Sequence, residues 1–143
     1  MCNQIKNISD IIKFHNYSFI CCDFYKLIEN ASEDDFIYCD PPYIDRYNDY
    51  FNSWNEYDEN RLCVVLSQTK AKFLLSTWRS NKYRENVYIK SLWSGFNIDA
   101  KEHFYHLGAS EKNRNSMTEA LISNFVSDNT QKDFSIKNIQ LPL

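Results

Sequence analysis

The sequence predicts an α/β fold: alternating strands and helices, with one antiparallel edge formed by a C-terminal hairpin. Two short runs of β-branched and aromatic residues, 17–22 (YSFICC) and 36–39 (FIYC), each end in polar or proline residues. A stretch with helical spacing then leads into a third such run, 72–77 (KFLLST). The last third of the chain holds extended segments joined by a polar loop. Strand, helix, strand, helix, strand and hairpin is the alternation of an α/β domain with an antiparallel edge.

Residues 17–22 read as a buried strand ending at Asp23-Phe24, followed by a short helix whose Leu27 and Ile28 face the core up to about residue 31. Ser32-Glu33-Asp34-Asp35 is a turn. The strand 36–39 stops abruptly at Asp40-Pro41-Pro42, because proline has no N–H to give to a ladder. Residues 43–57 are aromatic and polar without period, and a loop of that length usually carries function. Asp58 is placed as the N-cap of a helix reaching to about residue 70, with Leu62, Val65 and Leu66 on its apolar side. Beyond the third strand, residues 81–88 are expected to form a short basic helix and 88–93 to be extended. Residues 102–107 and 118–125 are expected to pair as an antiparallel hairpin around the polar loop 108–116.

The 143 residues fit one domain, and 43% hydrophobic with 24% charged residues is a composition that builds a core. Only two glycines are present, where average usage gives roughly ten, so no glycine-rich phosphate loop can be written. Five cysteines are an odd number without C-x-x-C spacing and read as reduced, apolar and intracellular. No apolar run is long enough for a membrane span and no signal peptide is legible, so a cytoplasmic location is expected. His103 and His106 would lie on opposite faces of a strand, and the cysteines are better core residues than ligands, so no metal is expected. The net charge of −3 hides an asymmetry: residues 1–70 hold six basic and twelve acidic residues, whereas 71–90 hold five basic and one acidic. Such a basic stripe is either a solvated helix face or an edge that meets phosphate.

Asp40-Pro41-Pro42-Tyr43 carries the chemistry. It stands at the carboxyl end of a buried strand, where open α/β sheets bind ligands. Two prolines fix the backbone and leave only carbonyl acceptors beside the Asp40 carboxylate. An acceptor-only site suits a planar group with two N–H donors, and the Tyr43 ring offers a face on which a base stacks for roughly 1–3 kcal/mol. The exocyclic amino group of adenine meets that description: hydrogen bonds to Asp40 and to a carbonyl near Pro41 would localise its lone pair and aim it at an electrophile. Inside a duplex the base is out of reach and must be flipped out.

On these residues the chain resembles the Dam-type DNA adenine methyltransferases. Residues 18–24 (SFICCDF), 36–43 (FIYCDPPY), 72–76 (KFLLS), 101–107 (KEHFYHL) and 113–124 (NRNSMTEALISN) are similar to successive segments of that family, the last two most closely to restriction-system enzymes methylating GATC. Thr77 stands where members commonly have Asn. The resemblance implies a Rossmann-like methyltransferase sheet of order 3-2-1-4-5-7-6, of which this chain would supply strands 3 to 7. It implies S-adenosylmethionine as cofactor, double-stranded DNA with an adenine target as substrate, and Asp40, Pro41, Pro42 and Tyr43 as the catalytic segment. Asp40 would also contact the methionine end of the cofactor, with Asp23 and Phe24 against its adenosine. Asp23 reads equally as the N-cap of the helix starting at Phe24. Arg46, Lys112 and Arg114 are the candidate phosphate contacts. Residues 1–16 would be a lead-in from the recognition region, 17–126 the C-terminal part of the catalytic domain and 127–143 a tail. The family's Phe-x-Gly-x-Gly cofactor segment and its first two strands have no counterpart here, so the chain is expected either to fold poorly alone or to be completed by a partner carrying the N-terminal half. A non-catalytic nucleic-acid-binding remnant or an inactive fragment is the alternative.

Overall fold

The computed structural model describes residues 2–45, 54–104 and 116–126. In chain order these form α1 (Cys2–Phe14), α2 (Phe24–Glu29), β1 (Phe36–Cys39), α3 (Glu56–Gln68), β2 (Lys72–Asn81), α4 (Tyr88–Ser91), β3 (Asn97–Phe104) and β4 (Ser116–Ser123). The sheet runs β1-β2-β4-β3: β1 pairs with β2 in parallel, and β4 pairs antiparallel with both β2 and β3. The expected α/β class with an antiparallel edge is what forms.

The period-2 rule explains the core. Along β2, Phe73, Leu75 and Thr77 point to one face and are buried. Leu75 lies beside Ile122 and Thr77 beside Ala120 of β4. Against that face pack Leu62, Val65 and Leu66 of α3 together with Ile89 and Trp93. Each large side chain so buried contributes roughly 1.5–3 kcal/mol. The cap of α3 lies three residues before the expected one: Asn55 is the N-cap, its side chain accepting from the N–H groups of Tyr57 and Asp58. The Asp58 carboxylate returns a bond to the Asn55 N–H at 3.3 Å, so this is a capping box in which Asp58 fills the third helical position.

Three expected elements are corrected. Residues 17–22 are not a strand: their backbone has no ladder, and Phe19 and Ile20 stand 79% and 66% exposed. A strand exists only where a neighbour takes its N–H and C=O groups, and no described strand flanks this segment or the outer edge of β1. Cys21 and Cys22 are accordingly exposed free thiols rather than core residues. Residues 81–88 form a reversing turn instead of a helix, closed by a bridge between Ser80 and Glu85. Residues 88–93 contain α4 instead of an extended run. Both changes follow from asparagines that stand in for backbone partners. Asn81 accepts from the N–H groups of Tyr83 and Arg84, and Asn86 accepts from that of Tyr88. The hairpin is present, although β3 starts at Asn97 and β4 ends at Ser123.

The opposite face of the sheet is covered at Trp78 and open toward β1: Phe36 and Tyr38 are each 59% exposed, and Leu121 of β4, across β2 from them, is exposed too. α1, read from sequence only as part of a lead-in, is a helix whose Ile5, Ile8 and Ile12 form an exposed apolar stripe at helical spacing. No described helix is long and apolar enough to cross a membrane.

Candidate active site

Asp40 is the first residue beyond β1, so the strand that ends at Cys39 delivers its carboxylate to the carboxyl end of the sheet. Asp40 is exposed and no described residue donates to it, while Pro41, Pro42 and Tyr43 are half-buried. The loop then turns through Ile44, which is buried, and Asp45, whose φ of 58° lies in the left-handed region that Asp tolerates better than most residues.

Two side chains of the sheet tie this loop down. Trp78 of β2 donates its indole N–H to the Ile44 carbonyl at 2.8 Å, a buried bond. The Tyr43 hydroxyl donates to Glu119 Oε1 at 3.1 Å, and Glu119 lies in register beside Trp78. Burial, above all, then the Glu119 and Asp40 carboxylates, raise the Tyr43 phenol above its ordinary value against a hydrogen bond from Ser76. The ring is therefore held at its edge by a neutral hydroxyl, a use of Tyr43 beyond its aromatic face.

Beside Asp40 lies a cleft of about 270 Å³, walled by Phe24 and Leu27 of α2, Ile37 and Cys39 of β1, Leu62 of α3, and Trp54, with Asp40 and Pro41 at one side. The Phe24 and Trp54 ring centroids are 5.6 Å apart. Burial pushes the Cys39 thiol up to about 11, so it is a neutral wall at physiological pH. Trp54 is fixed from behind by Glu59, a carboxylate in a residue only 2% exposed. Its Oε2 accepts from the Trp54 indole at 2.6 Å, and its Oε1 from the Trp93 indole at 2.8 Å. An apolar cleft with two mutually packed rings in its wall and one carboxylate beside it suits a flat heterocycle and a hydrogen-bond donor.

Phe24 and Asp40 thus meet at one cleft, and Asp23 does not line it. Asp23 caps α2, accepting from the Tyr25 N–H at 2.9 Å, and it takes two bonds from the Arg61 guanidinium at 2.9 and 3.1 Å. The Tyr25 N–H first, then Arg61, hold its carboxyl below the ordinary 3.8. A depressed carboxylate stabilises the fold above its unfolded value, and that contribution disappears as pH falls through the folded one. Asp23→Asn is therefore expected to lower the melting temperature at pH 7 and to converge on the wild type in acid, as pH falls from 3.8 through the lower folded value, read by thermal melts across pH. Equal deficits at pH 7 and in acid would mean the charge plays no part.

Arg46, Lys112 and Arg114 fall outside the described residues. Sequence reasoning missed Trp54, Glu59, Arg61 and Trp78. The available signal was the chain's three tryptophans, since a buried indole N–H requires a partner. Among the described residues no cluster of His, Cys, Asp and Glu could hold a metal ion.

The chain has curated relatives. The chain is 26% identical over 129 residues to the type II methyltransferase M1.LlaDCHI of Lactococcus lactis subsp. cremoris, covering 85% of the chain and 44% of that protein. It is 32% identical over 134 residues to the type II methyltransferase M.MjaIII of Methanocaldococcus jannaschii, covering 85% and 43%. With the modification methylase StsI of Streptococcus sanguinis the identity is 31% over 108 residues, covering 67% and 16%. The chain thus spans less than half the length of these curated relatives. Residues 2–107 match the model of the D12 class N6 adenine-specific DNA methyltransferases, and the chain belongs to that family.

Proposed function

We propose that this chain is the C-terminal catalytic portion of an enzyme that methylates the exocyclic amino group of adenine in double-stranded DNA, within GATC. The observation that carries the reading is the placement of Asp40-Pro41-Pro42-Tyr43 at the end of β1, beside the cleft that Phe24 and Trp54 wall. In this reading Asp40 and the Pro41 carbonyl accept the two N–H bonds of a flipped adenine, and Tyr43 stacks on its ring. S-adenosylmethionine, when bound, would supply the methyl group. Its adenosine would lie in the cleft against the wall that Phe24 and Trp54 form, with Asp40 toward the methionine end. Described residues offer that end no further polar wall at the cleft.

The strand order β1-β2-β4-β3 supports reading these strands as 4, 5, 7 and 6 of a 3-2-1-4-5-7-6 sheet. Strand 1 would then lie on the open edge of β1. A polypeptide segment carrying the N-terminal half is the partner this reading requires, acting with the chain in the cytoplasm of a bacterial or phage-type host. The exposed Phe19, Ile20, Phe36 and Tyr38 are the apolar surface it would cover.

Calorimetry with S-adenosylmethionine and methyl incorporation into GATC duplexes test both halves of the proposal. The chain by itself is expected to bind no cofactor, and addition of the N-terminal half is expected to restore micromolar binding and adenine methylation. Micromolar binding by the chain alone would remove the need for a partner. An assembled pair that binds cofactor and leaves adenine unmodified would remove the methyltransferase reading.

A further inference from the structure

We propose that the turn Lys82-Tyr83-Arg84 beyond β2 is a phosphate grip for the DNA strand flanking the target adenine, an inference that rests on the DNA-modifying reading above. Its charge is available. Arg79, Lys82 and Arg84 are exposed and none is in an ion pair with a described residue, whereas neighbouring Lys90 is engaged by Glu85 at 3.2 Å. This is the one basic stretch on a chain whose first half is strongly acidic. A polyanion would therefore be drawn to this stretch in preference to the acidic first half.

The turn is also built before anything binds. The Asn81 side chain accepts from the N–H groups of Tyr83 and Arg84 at 2.9 and 3.0 Å, and the Asn81 N–H donates to the Arg84 carbonyl at 2.9 Å. Asn86 closes the base: its N–H donates to the Arg79 carbonyl at 2.8 Å and its buried amide to the Trp78 carbonyl at 2.9 Å. The irregularity in β2 between Trp78 and Ser80 re-aims the strand there, as bulges beside functional sites do.

Position decides what the turn would touch. β1 and β2 are parallel with Cys39 beside Leu75, so Asp40 is level with about Ser76 and the turn continues past it. Five further residues at about 3.3 Å each carry it roughly 16 Å beyond the catalytic loop, or about five base-pair rises of B-DNA. It would thus reach the backbone flanking the flipped nucleotide rather than that nucleotide's own phosphate. The Arg84 guanidinium lies 5.4 Å over the Trp78 ring, the same indole that holds the Ile44 carbonyl. One side chain therefore sets the distance between grip and catalytic loop.

The test is fluorescence anisotropy of the full 143-residue chain with duplex DNA, titrated with salt in the absence of cofactor. Lys82→Ala and Arg84→Ala are each expected to reduce the slope of log K against log salt by about 1, and the double variant by about 2. Arg84→Lys should keep the slope, and Lys72→Ala, at the far end of β2, should leave it unchanged. Near-ultraviolet circular dichroism confirms that the turn variants keep their packing. A wild type without salt-dependent affinity for duplex, an unchanged slope in the double variant, or an equal loss in Lys72→Ala overturns the proposal. Because no cofactor or methyl transfer enters the readout, the grip and the catalytic reading stand or fall separately.

Discussion

Asp40→Ala, in the enzyme completed by its N-terminal half, is expected to lower methyl transfer by at least about a hundred- to a thousandfold and leave duplex affinity nearly unchanged. The magnitude is that of removing one preorganised polar group from a site where charge develops. The fold should not suffer, because Asp40 is exposed and no described residue donates to its carboxylate. Asp40→Asn keeps an acceptor oxygen and removes the charge, so its activity apportions the effect between hydrogen bonding and electrostatics. Single-turnover methylation with saturating cofactor is the measurement, and activity within tenfold of wild type would show that Asp40 does not act on the amino group.

Glu59→Ala is the second large effect, and it falls on stability. The substitution strips two indole N–H groups of their acceptor, one from Trp93 in the core and one from half-buried Trp54. Unsatisfied buried donors cost about 1–3 kcal/mol each, so a loss of roughly 2–6 kcal/mol is expected. That is a large fraction of the stability of an ordinary domain. Glu59→Gln should fall between: its carbonyl serves one indole while its amide faces the other donor to donor. Urea denaturation gives the number, and a loss below about 1 kcal/mol for alanine would mean that both indoles find other partners.

What could be read from the sequence was what is local. Phe36-Ile37-Tyr38-Cys39 before two prolines announces a strand and its end within eight residues, and Leu62, Val65 and Leu66 announce a helix face by spacing alone. The Asp40 segment and the antiparallel hairpin were legible for the same reason. The segment 17–22 has the composition of a strand and no neighbour to make it one, since composition specifies a willingness to pair and topology supplies the partner. The Glu59 clamp joins Trp54 to Trp93 across the sequence, and the Arg61–Asp23 bridge spans helices α3 and α2; no periodicity encodes either. The turn 81–86 was misread as a helix because its order comes from asparagine side chains.

Each of the three tryptophans of the chain is tied to the candidate site: Trp54 on the cleft wall, Trp93 behind it through Glu59, and Trp78 beneath the loop that follows Asp40. The protein consequently carries its own optical gauge. A planar ligand entering beside Trp54 changes that indole's surroundings directly, and a shift of the loop changes those of Trp78. With no tryptophan elsewhere to dilute the signal, intrinsic emission reports on the site alone, and single Trp→Phe replacements separate the cleft's contribution from the loop's without any attached dye.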